Sequence, residues 1–196
     1  NKGCEDLNTS LDIIDKFCSV FEEIDSKCFS WQRIKAISAD MSERIEVVFS
    51  EEKVKERIRE MGKQISAAYE GKELHLICVL RGGSFFMCEL AKYITVPVSI
   101  DFMSVSSYGA GTESSGNIKI NKDLDDPIAG KHVLVVEDII DSGRTLSHLM
   151  ELLESRRPES LALCTLLDKP ERRVIEVDVD YIGFEIPDLF VVGYGL

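Results

Sequence analysis

The sequence predicts an α/β protein in which helices flank a central, mostly parallel sheet. Short apolar runs, among them residues 74–80 and 133–136, are typical of buried strands. Between them lie segments with apolar residues at three- and four-residue steps, which indicate amphipathic helices. Continuous apolar strands that alternate with helices favour a parallel sheet covered on both faces. With 196 residues, the chain is long enough for one such domain.

From residue 50 onward the predicted elements follow one another in a regular order. A first helix starts after Ser50, stops at Gly71 and carries an apolar stripe formed by Val54, Ile58, Met61, Ile65 and Tyr69. Two more helices are predicted for residues 84–94 and 145–155. The strands are predicted for residues 74–80, 98–105, 133–136, 161–167, 181–184 and 190–192, with a hairpin arm at 117–120.

The first forty residues stand apart from this pattern. An amphipathic helix, capped by Thr9 or Ser10, is predicted there from the spacing of Leu11, Ile14, Phe17, Cys18, Phe21 and Ile24. Packing on the domain is the usual role of such a helix, and binding of a specific partner is the alternative. We expect residues 1–40 to be an N-terminal extension, mainly helical, and residues 41–196 to form the main domain.

Charge and cysteine content restrict the classes of function. The net charge is −12, from 35 acidic and 23 basic residues. This charge disfavours nucleic acid and anionic membranes, because both attract clustered Lys and Arg. The cysteines show no paired spacing, and Cys78 and Cys164 lie in apolar runs, where a cysteine acts as a small apolar residue. We therefore expect a reduced, cytoplasmic protein without a disulfide framework or a zinc site.

Residues 133–146 carry the clearest functional pattern. An apolar run, expected to end as a strand at Val136, is followed by Glu137 and Asp138 and then by Asp141. The hydroxyl- and glycine-bearing turn 142–145 comes next, where the N–H groups of a helix N-terminus suit a phosphate. Carboxylates there would repel a bare phosphate unless they hold a cation or sugar hydroxyls. The pattern therefore predicts a sugar phosphate that binds together with Mg²⁺.

Two glycine-containing segments precede this pattern. Residues 80–83, Leu-Arg-Gly-Gly, follow a predicted strand, and their backbone N–H groups suit an anion-binding nest. Taken alone, a tight turn is the simpler explanation of these four residues. Residues 106–111 are rich in glycine and hydroxyl groups, which is typical of a linker or of a mobile flap over an active site.

The pattern at 133–146 resembles the phosphoribosyl pyrophosphate signature of the type I phosphoribosyltransferases. Residues 136–143, Val-Glu-Asp-Ile-Ile-Asp-Ser-Gly, are most similar to the hypoxanthine-guanine branch in its bacterial form. The resemblance extends from about Glu43 to Leu196 and implies a small hood, formed by the segment near Lys169 and the C-terminal part. It implies purine salvage, in which hypoxanthine or guanine reacts with phosphoribosyl pyrophosphate. Because the family continues beyond a segment like residues 193–196, we expect the natural protein to do so.

The resemblance also implies a role for each residue of these motifs. Asp141 would be the general base, and Glu137 and Asp138 would bind the ribose hydroxyls and help to place Mg²⁺. The 5′-phosphate would be held by Ser142, Gly143, Arg144 and Thr145. Pyrophosphate would be bound by Leu80, Arg81, Gly82 and Gly83, with a non-proline cis peptide bond between the first two.

The purine is expected to lie among residues from three segments. Lys169 would contact the C6 oxygen, which selects 6-oxopurines because the amino group of adenine cannot accept a hydrogen bond. Ile139 would pack against the base, Phe190 would stack on it and the Val191 main chain would read its edge. Ser107 and Tyr108 would form the flap that excludes water from the reaction.

Three alternatives accompany the enzymatic interpretation. Some phosphoribosyltransferase-like domains are regulators that bind nucleic acid, but the charge of −12 and the intact purine segment favour an enzyme. A non-catalytic homologue and a xanthine-accepting enzyme are the other two. The expected partners are the purine base and phosphoribosyl pyrophosphate, with neither nucleic acid nor membrane, and the resemblance implies a homodimer or homotetramer.

Overall fold

A computed structural model of the chain describes residues 34–37, 45–107 and 118–196. In chain order, the elements in these ranges are β1 (Ile34–Ile37), β2 (Ile45–Phe49), α1 (Glu51–Ala68), β3 (Leu74–Val79), α2 (Gly83–Ala91), β4 (Val98–Ser107), β5 (Ile118–Lys122), β6 (His132–Ile140), α3 (Arg144–Ser155), β7 (Ser160–Asp168), a 3₁₀ turn (Pro170–Arg172), β8 (Tyr181–Glu185) and β9 (Phe190–Val192). The predicted helix at residues 11–24, Cys4, Cys18, Cys28 and Tyr108 lie outside these ranges.

The described strands form a six-stranded sheet in the order β5-β4-β3-β6-β7-β8. The pairs from β4 through β8 are parallel, and β5 adds to β4 as the antiparallel hairpin arm. From β3 the chain first builds outward through β4 and β5 and then returns to place β6 on the other side of β3. The carboxyl ends of β3 and β6 therefore flank a topological switch point. The predicted α/β class with a mostly parallel sheet is confirmed.

Alternating side chains of the central strands bury both faces of this sheet. Leu76 on β3 and Leu134 on β6 belong to the apolar cluster that α1 and α2 cover. Ile77 and Val135, one position further along, belong to the cluster that α3 covers on the opposite face. All four side chains are fully buried. Their strands read as continuous apolar runs because neither face meets water.

Helix α1 follows the pattern that its sequence predicts. The Ser50 hydroxyl accepts a hydrogen bond from the Lys53 N–H at 3.3 Å and caps the first turn. The stripe that was expected to face the core is buried, and the helix ends at Ala68, before Gly71 adopts a φ of +74°. None of the helices in the described ranges has the length and apolar character needed to cross a membrane.

Strand β6 corrects one sequence-based boundary. The strand was expected to end at Val136, but it continues to Ile140 and therefore includes Glu137 and Asp138. The prediction was wrong because acidic residues are typical of loops, and the sequence does not show the pairing with β7. In the structure the backbone of β6 pairs with β7 as far as Ile140, which lies opposite Asp168. On the other side, the ladder with β3 ends at Cys78 and Val136.

A second sheet of three antiparallel strands, ordered β2-β1-β9, lies in the described part of the chain. Strand β1 pairs on one side with β2 and on the other with β9, where Lys35 lies opposite Val192. Residues 34–37 were expected to belong to a mainly helical extension. They form a strand instead, because their backbone supplies the middle partner between two edge strands, which helical periodicity does not reveal.

Hydrogen bonds from the Arg57 side chain join α1 to strand β8 and should contribute measurably to the stability of the protein. The Nε and Nη2 groups of Arg57 donate hydrogen bonds to the carbonyl oxygens of Gly183 and Ile182, at 2.9 and 2.7 Å. Arg57→Ala should therefore lower the free energy of unfolding by about 1–3 kcal/mol, because these bonds have a charged donor. Lys55→Ala removes an i,i+4 ion pair with Glu51 on the same helix and should cost about 1 kcal/mol or less. Urea denaturation of both variants measures the difference, and equal losses would contradict the anchoring role.

Candidate active site

The candidate site lies where β3 and β6 part at the switch point. The β3–β6 ladder ends at Val136, while β6 continues for four more residues along β7. The edge of residues 137–140 that faces β3 is therefore not paired with a strand, and the loop that follows β3 lies beside it. Ligands of open α/β sheets bind beyond the carboxyl ends of the strands at such a point.

The loop after β3 approaches β6 so closely that glycine is required at two positions. A Cβ atom at Gly83 would lie 2.9 Å from the Val136 carbonyl oxygen, and one at Gly82 would overlap the Asp138 carboxylate. The peptide bond between Leu80 and Arg81 is cis, which confirms the expectation drawn from the resemblance. The predicted glycine segment and the predicted acidic segment are therefore in contact.

Glu137 and Asp138 occupy different environments on β6. Asp138 is buried beside Gly82, and its Oδ1 accepts a hydrogen bond from the Ile139 N–H at 2.9 Å. Glu137 lines the cavity described below. Burial, with a hydrogen bond and the negative charge of Asp138, raises the pKa of Glu137 well above its ordinary value. A cation or a hydroxyl donor would favour the ionised form of such a carboxyl group.

The turn between β6 and α3 is held by the segment that follows the 3₁₀ turn. The Ser142 carbonyl oxygen accepts hydrogen bonds from the N–H groups of Val174 and Ile175, at 2.9 and 3.1 Å. Gly143 has a φ of +77°, and a Cβ atom there would collide with the Ile175 carbonyl oxygen. Helix α3 begins at the next residue, so the N-terminus of this helix lies at the candidate site.

A cavity of about 250 Å³ lies beside Leu80, the end of β6 and the turn before α3. Its lining does not include the predicted site residues Arg81, Gly82, Gly83, Asp138 and Arg144. Seven predicted site residues line it, namely Leu80, Glu137, Ile139, Asp141, Ser142, Gly143 and Thr145. The remaining lining comes from residues that had not been predicted as part of the site, namely Val79, Val105, Ile140, Leu146 and Leu149. These five form an apolar wall that the strand and helix patterns identify only as core.

Asp141 has a charged neighbour that the sequence had not singled out. Arg172 Nε lies 2.9 Å from Asp141 Oδ1, an ion pair whose geometry is not that of a hydrogen bond. About half of each side chain is exposed to solvent, 46% for Asp141 and 50% for Arg172. Two consecutive arginines shortly after Lys169, in a chain of net charge −12, were the available signal for this contact.

The predicted purine-binding residues lie on elements around this crevice. Lys169 is buried, with 6% of its surface exposed. Its backbone N–H donates a hydrogen bond to the Ile140 carbonyl oxygen at 3.0 Å. Phe190 is 68% exposed, whereas Val191 beside it is buried, and both belong to β9 in the second sheet. Ser107 ends β4, while its predicted flap partner Tyr108 lies outside the described residues.

Comparisons with known proteins agree with this geometry. Residues 46–196 match the model of the phosphoribosyl transferase domain. The chain is 52% identical over 158 residues to a hypoxanthine phosphoribosyltransferase of Salmonella typhimurium, covering 80% of this chain and 89% of the relative. A solved hypoxanthine-guanine phosphoribosyltransferase of Bacillus anthracis has a TM-score of 0.72 and 49% identity, covering 76% of this chain and 87% of that one. A solved hypoxanthine phosphoribosyltransferase of Staphylococcus aureus has a TM-score of 0.75 and 48% identity, covering 77% and 82%.

The fold and the crevice at its switch point thus define a phosphoribosyl transferase domain. The sequence identity to the Salmonella relative extends over most of both proteins, so the family can be named more narrowly than this domain class. The chain belongs to the family of hypoxanthine phosphoribosyltransferases.

Glu137 should make the stability of the protein depend on pH. Its pKa is raised in the folded state, so the folded protein holds this proton more tightly than the unfolded chain does. Stability therefore falls as the pH rises from the unfolded pKa, about 4.3, toward the folded value. Glu137→Gln removes this titration, so its Tm should exceed that of the wild type at pH 8 and approach it at pH 4. Thermal unfolding in buffer without divalent cations tests this, and a Tm difference independent of pH would contradict it.

Proposed function

We propose that this protein transfers phosphoribose from phosphoribosyl pyrophosphate to hypoxanthine or guanine in purine salvage, giving IMP or GMP and pyrophosphate. The observation that carries the proposal is the crevice between β3 and β6, where the glycine loop, the two carboxylates and the turn before α3 meet. The names of the relatives from Salmonella typhimurium and Bacillus anthracis support the same reaction.

The two phosphate-bearing ends of the sugar substrate would bind at the two glycine-containing turns. Residues Ser142 to Thr145 would hold the 5′-phosphate with backbone N–H groups at the start of α3. The loop of Leu80, Arg81, Gly82 and Gly83 would hold the pyrophosphate group, because glycines let the backbone approach an anion closely. The contact between this loop and β6 supports placing both ends of one substrate in the same crevice.

The carboxylates of β6 fit a magnesium ion. Glu137 and Asp138 offer hard oxygen donors, and Mg²⁺ in phosphate-transfer sites is usually held by one or two carboxylates together with substrate phosphates. The described residues include no cluster of three or more His, Cys, Asp or Glu side chains that could hold a metal ion. When bound, Mg²⁺ would neutralise the charge of the pyrophosphate leaving group.

The reaction joins a purine nitrogen to C1′ as the bond from C1′ to pyrophosphate breaks. Pyrophosphate leaves with the electron pair of that bond, and the attacking nitrogen, N7 or N9, loses its proton. We assign this proton to the Asp141 carboxylate, which lines the cavity. Most of the acceleration would then come from positioning and from charge stabilisation. Ser107 and Tyr108 would close over the site and exclude water.

The purine side of the site is assigned to Ile139, Lys169, Phe190 and Val191. The low exposure of Lys169, 6% of its surface, supports a place inside the site, where its ammonium group would donate a hydrogen bond to the C6 oxygen of a 6-oxopurine. The exposed ring of Phe190 supports stacking on a flat base. Ile139 lines the cavity and would pack against the same base.

The setting of the enzyme is part of the proposal. Residues 41–196 hold the catalytic domain, to which β1 of the preceding segment adds a strand. The protein acts in the cytoplasm as a homodimer or homotetramer. The free thiols of Cys78 and Cys164 in the core support a reducing compartment.

A spectrophotometric assay of the natural full-length protein tests the reaction. With phosphoribosyl pyrophosphate and Mg²⁺, we expect turnover of hypoxanthine and guanine, and no turnover of adenine. Lys169→Gln should lower kcat/KM for hypoxanthine by about 5- to 150-fold, because a buried hydrogen bond to the substrate is worth about 1–3 kcal/mol. Inactivity toward both 6-oxopurines would refute the function. Wild-type kinetics of the Lys169 variant would refute only the assignment of that residue.

Asp141→Asn should lower kcat by about 100-fold or more, because general base catalysis typically contributes at least this factor. The KM values should change much less, since the variant keeps the size and polarity of the side chain. Asp123→Asn is a matched control, because Asp123 is an ion-paired surface carboxylate outside the site and this variant should keep wild-type kcat. Normal turnover of Asp141→Asn in steady-state assays would show that another group takes the proton.

A further inference from the structure

The guanidinium group of Arg172 bridges two carboxylates that belong to different parts of the site. Its Nε lies 2.9 Å from Asp141 Oδ1, and its Nη1 donates a hydrogen bond to Asp188 Oδ1 at 3.2 Å. Asp141 belongs to the turn after β6, whereas Asp188 belongs to the loop between β8 and β9. One side chain therefore connects the phosphate side of the crevice with the purine side.

Further hydrogen bonds hold the 3₁₀ turn that carries Arg172 between the same two regions. The Lys169 N–H donates to the Ile140 carbonyl oxygen at 3.0 Å, directly before Asp141. On the other side, the Asp188 N–H donates to Glu171 Oε2 at 3.3 Å. These hydrogen bonds place the backbone of Arg172 close to both carboxylates, so its side chain can contact Asp141 and Asp188 at the same time.

The two ion pairs of Arg172 are weak, so they should affect the orientation of the Asp141 carboxylate more than the stability of the fold. About half of each of the three charged side chains is exposed, and exposed ion pairs contribute about 1 kcal/mol or less. An arginine suits this place because its planar fork presents donors in two directions, whereas the ammonium of a lysine is a single compact charge. Loss of the bridge should leave the fold intact and change the freedom of Asp141.

We propose that Arg172 is a positioning residue that holds the Asp141 carboxylate toward the purine and couples it to the loop before Phe190. The proposal rests on the proposed function, because it takes Asp141 as the general base. In the described residues the contact with Arg172 is made to Oδ1, and we assign the proton from the purine to Oδ2 of the same carboxylate. We assign Arg172 no direct contact with the purine or the sugar, so it would act through Asp141.

Steady-state kinetics of four variants test this role. Arg172→Ala should lower kcat about 3- to 5-fold and raise the KM for hypoxanthine by a similar factor, the scale of an exposed ion pair. Arg172→Lys should recover most of kcat, since it keeps a positive charge beside Asp141, but not the KM, since it does not span both carboxylates. Asp188→Asn removes only the purine-side contact and should raise the KM more than it lowers kcat. In an Asp141→Asn background, Arg172→Ala should have no further effect on kcat.

Arg156→Ala is the matched control, because Arg156 forms an exposed pair with Asp123 away from the crevice and this variant should keep wild-type kinetics. If Arg172→Ala matches the wild type, or if Arg172→Lys is no better than Arg172→Ala in kcat, the positioning role is refuted. A further loss of kcat in the Asp141→Asn background would refute it too, because Arg172 would then act through another group. An inactive wild type or a fully active Asp141→Asn would instead refute the proposed function, so the two failures are distinguishable.

Discussion

The site depends on the unequal lengths of the two hydrogen-bonded ladders on either side of β6. The ladder with β3 stops at Val136, whereas the ladder with β7 continues to Ile140. This difference leaves one edge of the strand free over four residues, and the loop with Gly82 and Gly83 comes to lie against that edge. Ladders of equal length on both sides of β6 would close the space in which the turn at residues 142–145 and the carboxylates meet.

The same arrangement explains how the protein tolerates several acidic groups in a small volume. Glu137 and Asp138 belong to a strand whose preceding residues, Leu134 and Val135 among them, are fully buried. Burial of each such side chain stabilises the fold by about 1.5–3 kcal/mol, which offsets the cost of crowding the carboxylates. Pairing with β7 holds the backbone of both acids in a strand rather than in a loop.

The sequence predicted most of the sheet, because its buried strands are unbroken apolar runs. It also predicted a turn and a helix start at residues 142–145, from the hydroxyl and glycine residues that follow the acids. It placed the end of β6 too early, since Glu137 looks like a loop residue and its pairing with β7 is not local. It identified Lys169 only through the resemblance, because nothing near it in sequence signals burial. Arg172 was missed for a similar reason, since its partners Asp141 and Asp188 come from two other segments.

The pairing of β9 with β1 has a consequence for the way in which the segment with Phe190 and Val191 is held. Phe190 and Val191 belong to a strand whose partner lies near the opposite end of the described chain. Closing so long a loop costs more chain entropy than joining neighbouring strands, and β9 has only three residues with which to repay that cost. We therefore expect β9, which carries Phe190 and Val191, to be released by local unfolding more easily than the strands of the six-stranded sheet.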